Sequence, residues 1–225
     1  MPTSLRTPLC RYACLSDLPS IARCWFDAFF DDEVIGDIMH PHRKQFPEDV
    51  YWFLLRGIRE RFWDWRHQFI VVVMAENGKE KVIGAADWRR IGDGGRAREL
   101  CTCDPRNFIK PALGLYHTLS LAFFPNRAAD PKASSFLSSA VANAEQYWTG
   151  DHAECSDLHV CGVDSKFQGR GIGKLLVNLG TSVMTGEKMR GFYARSGLTE
   201  EAGQENSEQR RGIVLFRRAK VRDLT

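Results

Sequence analysis

Apolar and polar positions change rhythm several times along this chain, and each change marks an element. Ser16-Asp-Leu-Pro19 has the form of a helix start, with a capping side chain and proline in the first turn. Apolar residues then recur at Leu18, Ile21, Ala22, Trp25, Phe26 and Phe29. Helical spacing returns from Glu48 to about Trp65, with Val50, Phe53, Leu54, Ile58 and Phe62 on one face. Phe69–Glu76 and Val82–Trp88 are instead β-branched and apolar, and Asn77-Gly78 between them predicts a hairpin. The rhythm is lost over about 92–131, which holds Gly92-Asp-Gly-Gly95, several prolines and the apolar Leu113–Phe124. This stretch is expected to leave the sheet as a long, partly helical excursion. Ser134–Trp148 has helical spacing again, while Asp157–Val163 and Ile213–Phe216 have the character of strands. Helices feeding onto strands in this order predict a mixed α/β fold.

Composition narrows the class further. A length of 225 residues favours a single domain over 1–225. The longest apolar run, Phe69–Ala75, falls far short of the ~20 residues of a membrane helix, so no membrane partner is expected. The 31 Lys+Arg against 28 Asp+Glu leave a net charge of +3, too weak to argue for nucleic acid. The basic Arg210–Lys220 stretch suggests RNA at first glance, but Ile213–Phe216 in its middle makes it a strand with charged ends. Seven cysteines, odd in number and irregularly spaced, predict reduced thiols. The first residues, Met-Pro-Thr-Ser-Leu-Arg-Thr-Pro-Leu, lack the apolar core of a secretory signal, and a cytoplasmic location is expected. Cys101-Thr-Cys103 has no second Cys/His pair at zinc-like spacing, so no metal is expected.

The chemistry concentrates at Leu158–Leu176. A strand, Leu158-His-Val-Cys-Gly-Val-Asp164, runs straight into Ser165-Lys-Phe-Gln-Gly-Arg-Gly-Ile-Gly-Lys174 and then an apolar helical face. Gly169, Gly171 and Gly173 would leave backbone N–H groups uncovered at a helix start, and Gln168, Arg170 and Lys174 add donors and charge beside them. Such a nest suits a phosphate or pyrophosphate. It is not a Walker loop, because Lys174 is followed by leucine. It is not a dinucleotide fingerprint either, because neither frame puts the third glycine in place.

Gln168-x-x-Gly171-x-Gly173 after a strand resembles the acyl-CoA signature of the GNAT superfamily of N-acetyltransferases. Gly191-Phe-Tyr-Ala-Arg-Ser-Gly-Leu198 is similar to that family's Tyr-x-x-x-Gly-Phe segment, with leucine at 198 for phenylalanine. Leu15–Ala22 looks like its first helix, and the excursion with Phe123-Phe-Pro-Asn-Arg127 resembles fungal members. The resemblance implies a mixed, mostly antiparallel central sheet flanked by helices and direct acetyl transfer from acetyl-CoA to a small amine. It further implies that Gln168, Gly169, Arg170, Gly171, Ile172, Gly173 and Lys174 hold the pyrophosphate. Cys161, Gly162 and Val163 would pair with the pantetheine arm, and Tyr193 would protonate the departing thiolate. His159 is the candidate to take the amine proton, since it alternates with Cys161 and Val163 and so should share their sheet face; Glu154, Asp157 and Asp87 compete. A nucleophilic role for Cys161 is disfavoured, because its family counterpart packs.

Spacing raises one conflict. Only residues 174–191 separate the nest from the tyrosine segment, where a helix, a strand and their loops need roughly 25–30 residues. Either a helix runs to about Val183 and the next strand is lost, which is favoured, or Val177–Val183 is the strand and the helix shrinks to a turn. Loss of the strand would leave a non-catalytic CoA-binding or scaffold protein as the alternative function. A phosphate-ester or nucleotide binder is a third reading.

Overall fold

The computed structural model describes residues 7–76, 78–92, 103–133, 146–178, 180–185, 187–202 and 213–217. Its elements are β1 (Leu9–Tyr12), α1 (Leu18–Phe29), α2 (Pro47–Phe62), β2 (His67–Glu76), β3 (Lys79–Ile91), α3 (Arg106–Phe123), β4 (Cys155–Val163), α4 (Ile172–Val177), β5 (Ser182–Thr185), α5 (Arg190–Arg195), β6 (Leu198–Ala202) and β7 (Ile213–Arg217). The strands form one seven-stranded sheet in the order β1-β2-β3-β4-β5-β7-β6. Every neighbouring pair is antiparallel except β4 and β5. The mixed α/β class and the mostly antiparallel, helix-flanked sheet are therefore as expected.

Alternation along the strands sends side chains to two cores. Phe69, Val71, Val73, Val82 and Ala85 face α1 and α2, where Ile21, Trp25, Leu55 and Ile58 complete a buried cluster. Ile70, Val72, Ile83, Ala86, Trp88 and Leu158 face the other way, against Ile172 and Leu176 of α4 and Tyr193 of α5. The sheet is thus sealed on both sides near its middle. The excursion is partly helical, as its apolar content predicts: α3 lies across α2, tied by His117 to Glu60 and Lys110 to Asp64, each at 2.6 Å. Of the remaining sequence expectations, Asn77, residues 93–95, Cys101 and the 134–145 part of the predicted helix lie outside the described residues.

The expected loss of a strand after the glycine-rich turn is not what the chain does. The helix, not the strand, absorbs the shortage. α4 is only six residues, and β5 follows four residues later. Two contacts stop the helix at Val177. The Gly180 backbone presses on the ring of Trp88, so closely that a Cβ there would stand 1.9 Å from Trp88 Cζ3. Arg217 of β7 then caps the freed carbonyls, donating from Nη2 to Val177 O (3.2 Å) and from Nε to Gly180 O (3.0 Å). A helix continued through 180 would need a side chain where the indole already sits.

That close approach generates a prediction. Gly180→Ala overpacks a buried tryptophan, at a cost of about 1–3 kcal/mol, and should lower the melting temperature by several degrees. A melting curve unchanged from the parent would contradict the packing described.

Candidate functional site

β4 and β5 pair for only two residues, Asp157 with Ser182 and Leu158 with Val183. A polar cluster pins them there. Ser182 Oγ donates to Asp157 Oδ1 (3.1 Å), Trp148 Nε1 lies 3.4 Å from Ser182 Oγ, and Arg89 reaches Asp157 at 3.4 Å. Beyond the pin the strands separate. β4 runs on to Val163 with β3 as its partner, and β5 runs on to Thr185 with β7 as its partner. Among the described residues no strand pairs with the second edge of residues 159–163, so the ladder between β4 and β5 opens there. A strand edge with free backbone donors and acceptors is a template for another extended chain.

Tyr193 closes one side of this opening. It is buried in the cluster with Leu158, Cys161 and Ile172, with the Thr185 side chain at the end of β5 beside its phenol. Burial, followed by the neighbouring Cys161 and Asp157, raises its pKa above that of an ordinary tyrosine. The phenol is therefore protonated throughout the neutral range. The same crowding pushes the Cys161 thiol up to about 12, so it is no nucleophile at neutral pH.

At the far end of β4 the chain turns through 164–171 into α4. Asp164 caps the turn by accepting from Lys166 N at 2.9 Å. Gly169 and Gly171 take φ of +74° and +82°, left-handed values that a Cβ disfavours. From Gln168 to Lys174, no backbone N–H donates to a backbone carbonyl in the described structure; Leu175 N to Gly171 O, at 3.1 Å, is the first such bond of α4. Exposed Arg170 and Lys174 stand beside these amides, and Arg170 lies over the Phe167 ring at 5.3 Å. With α4 so short its dipole adds little, and affinity for an anion rests on the free amides and the cations. Two predicted contributors act differently from expectation. Gln168 turns its amide back to Val163 O (3.1 Å), locking the turn to the strand, and buried Ile172 offers only its backbone N–H.

His159 is placed on the other side of the sheet from its expected position. β3 and β4 slip register there: Asp87 pairs with Val160 and Trp88 with Leu158, leaving His159 as the extra residue of a bulge. The bulge breaks the alternation, so His159 does not share a face with Cys161 and Val163. Its ring instead meets His67, edge to face, at 5.4 Å between centroids. His67 belongs to the series Phe69, Val71 and Val73, which faces α1 and α2. Asp87, fully buried, contacts His67. It accepts from Arg61 Nε at 2.7 Å and pairs with His67 Nδ1 at 2.8 Å.

Each charge in this group is set by its surroundings. Burial alone would raise the Asp87 pKa, but the His67 hydrogen bond and the Arg61 guanidinium outweigh it and hold the carboxyl ionised. His159 is exposed in area, yet the protein around its ring desolvates it. That crowding, helped by Arg61, pushes its pKa down to about 3 against the opposing pull of Asp87. His159 is thus an uncharged imidazole at neutral pH. The competing carboxylates are engaged elsewhere: Asp157 in the strand pin, Asp87 with Arg61 and His67, and Glu154 at the surface 3.6 Å from Arg90. His67, Arg61 and Thr185 were not singled out from the sequence. The one signal that pointed toward them was Asp87 itself, an acid inside an otherwise apolar strand, which needs buried partners.

No protein-family model matches this chain, and a search of curated proteins finds no relative. Solved structures do match in fold. An acetyltransferase from Corynebacterium glutamicum, described as histone acetyltransferase HPA2 and related acetyltransferase, superposes with a TM-score of 0.54 at 14% identity, over 94% of this chain and 96% of that one. The putative arylalkylamine N-acetyltransferase 7 of the mosquito Aedes aegypti gives a TM-score of 0.53 at 10% identity, over 95% and 96%. The likeness is one of fold: this chain shares its architecture with these two proteins. Among the described residues no His/Cys/Asp/Glu group could hold a metal ion, and no helix is long and apolar enough to cross a membrane.

The depressed His159 pKa carries a stability consequence. Between its unfolded value near 6.5 and its folded value of about 3, the unfolded chain binds a proton that the folded chain refuses. Stability is therefore full above the upper limit and falls as pH drops through this window. The urea midpoint of the parent should fall between pH 7 and pH 5, and His159→Gln should fall less. Buried His40, also shifted down by burial, supplies a residual slope. Identical pH dependence in parent and variant would contradict the assignment.

Proposed function

We propose that this chain is an acetyl-CoA-dependent N-acetyltransferase that acetylates a small amine by direct transfer. One observation carries the reading. The opening between β4 and β5 has free strand edge along one wall, a protonated phenol on another, and an uncapped cationic turn at its mouth, within a fold shared with acetyltransferases. The donor set fits the group: a pyrophosphate matches the free amides of 169–174 with Arg170 and Lys174, and an extended pantetheine arm matches the open edge at Cys161, Gly162 and Val163.

Acetyl-CoA supplies the activated acyl group; this chain's residues orient it and handle protons. An N–H of the β4 edge polarises the thioester carbonyl. Tyr193, with the Thr185 side chain beside its phenol, gives its proton to the departing sulfur. The amine proton leaves through water, because His159, its pKa pushed down to about 3, is too weak a base to take it from an alkylammonium. The rival view of a non-catalytic CoA binder rested on a lost strand; β5 is present and its Thr185 touches Tyr193. The Aedes aegypti structure is described as a putative arylalkylamine acetyltransferase, which makes alkylamines the first acceptors to assay. We further propose that residues 1–225 act as a single domain, with acceptor choice shaped by α1, α2 and the excursion that carries α3. A cytoplasmic location fits the cysteine usage.

Calorimetric titration with acetyl-CoA tests the binding half. Arg170→Glu removes a charged donor and adds repulsion, and Gly171→Asp adds charge at a left-handed φ; each should weaken binding by about tenfold or more. Unchanged affinity in both would sink the site. Thiol release across a panel of amines tests the chemistry: Tyr193→Phe should lower kcat by about 100-fold while acetyl-CoA affinity holds. Turnover at the parent rate would remove Tyr193 from the reaction.

A further inference from the structure

α3 carries more apolar surface than its contact with α2 covers. Residues 111–126 hold no Asp, Glu, Lys or Arg, and within α3 only His117 is buried. The helix is fixed to α2 along one side, by His117 to Glu60 and by Lys110 to Asp64. Helical geometry puts Phe108, Ala112, Leu115, Leu119 and Ala122 on the side turned away from that contact, with Tyr116 and Phe123 flanking them. Phe108, Leu115, Tyr116, Leu119 and Phe123 are between 54% and 78% exposed. Large apolar side chains exposed to that extent leave roughly 600 Å² to water. A patch of this size on one face marks an interaction site.

The spacing and charge of this face say what kind of partner it fits. Phe108, Ala112, Leu115, Leu119 and Ala122 recur at intervals of four, three, four and three residues, the a/d rhythm of a seam between two helices. A lipid surface calls for free Lys and Arg around the apolar face. Here Arg106 pairs with Asp104 at 3.4 Å, Lys110 with Asp64 at 2.6 Å and Arg127 with Asp49 at 2.9 Å. A charged protein partner would find no charge on the face to answer its own. A second copy of the same face meets no like charge and matches it in length. We propose that α3 is a homodimer contact, in which the α3 helices of two copies pair antiparallel about a two-fold axis near Leu115, at the middle of the helix. The inference goes beyond the acetyltransferase reading and stands without it. The roughly 600 Å² of large side chains, enlarged by the alanines among them, approaches the ~800 Å² that each partner buries in a stable interface. An isologous contact needs only this one surface. α2, to which α3 is tied, packs on the sheet face away from α4, so the pairing leaves the glycine-rich turn open.

Analytical ultracentrifugation of the full chain tests this. At about 50 µM, above the micromolar affinity of the weaker interfaces of this size, the parent should sediment at twice the 25.6 kDa of one chain. Leu115→Glu sets two carboxylates against each other and should raise the dissociation constant by about 100-fold or more. Its helix content by circular dichroism should match the parent's, because Leu115 is exposed in a single copy. Leu115→Lys should also run as a monomer, and mixing the two variants should restore association. A dimer built on another face could not give that rescue. If Leu115→Glu loses helix content, Leu119→Glu, one turn further on, reads the same face. A parent that stays monomeric, a dimer that persists in Leu115→Glu, or a mixture that fails to associate would overturn the proposal. A monomeric parent that binds vesicles of anionic phospholipid would assign the face to a lipid surface instead. None of these outcomes bears on acetyl-CoA binding, which calorimetry reads separately.

Discussion

A β-strand with a neighbour on only one side leaves half of its backbone groups without a strand partner. That is the condition of β4 after Leu158, and the rest of the site is arranged around it. The sheet brings β4 and β5 together as its single parallel pair, fastens them through Asp157 and Ser182, and then lets them separate. Had they stayed paired to their ends, the edge would be closed and Tyr193 would face a continuous wall. The opening exists because the fastening covers two residue pairs and stops.

Each wall of the opening is held by contacts made elsewhere. The α4 and α5 side depends on a short helix. Gly180 against Trp88 and the Arg217 cap end α4 after six residues, which brings β5 back into the sheet in time for Thr185 to meet Tyr193. The α1 and α2 side depends on the bulge that turns His159 toward His67. The mouth depends on two left-handed glycines that keep amides free. A phenol and an imidazole are thereby held on opposite faces of one sheet, with different environments setting their charge states. Burial keeps the phenol protonated, while crowding and nearby guanidinium groups keep the imidazole neutral.

Much of this was legible in the chain. The β2–β3 hairpin, α1, α2 and the strand–turn–helix around 158–176 follow from period and turn chemistry, because their hydrophobic faces are local in sequence. β1 and β6 were missed: they are four and five residues long at the sheet edges, with too little buried surface to mark them. The 174–191 segment defeated periodicity, since six helical residues and four strand residues are each too short to establish a rhythm. Gly180 weakened both readings, and its reason is a tertiary contact with Trp88, more than ninety residues earlier in sequence. The face of His159 was misjudged because a bulge is a property of two strands, and alternation on one strand cannot reveal it. The Arg61–Asp87–His67 contacts join residues 20 and 26 positions apart, and only the isolated acid in β3 hinted at them.

The central claim is that the open edge of β4 and the turn beyond it receive acetyl-CoA together. Amide hydrogen exchange measured with and without acetyl-CoA addresses both places in one experiment. The account predicts new protection at residues 159–163, from strand-like pairing, and at 168–174, from phosphate contacts, with little change in β1 and β2. Unaltered exchange in both segments, or protection confined to another part of the molecule, would contradict it.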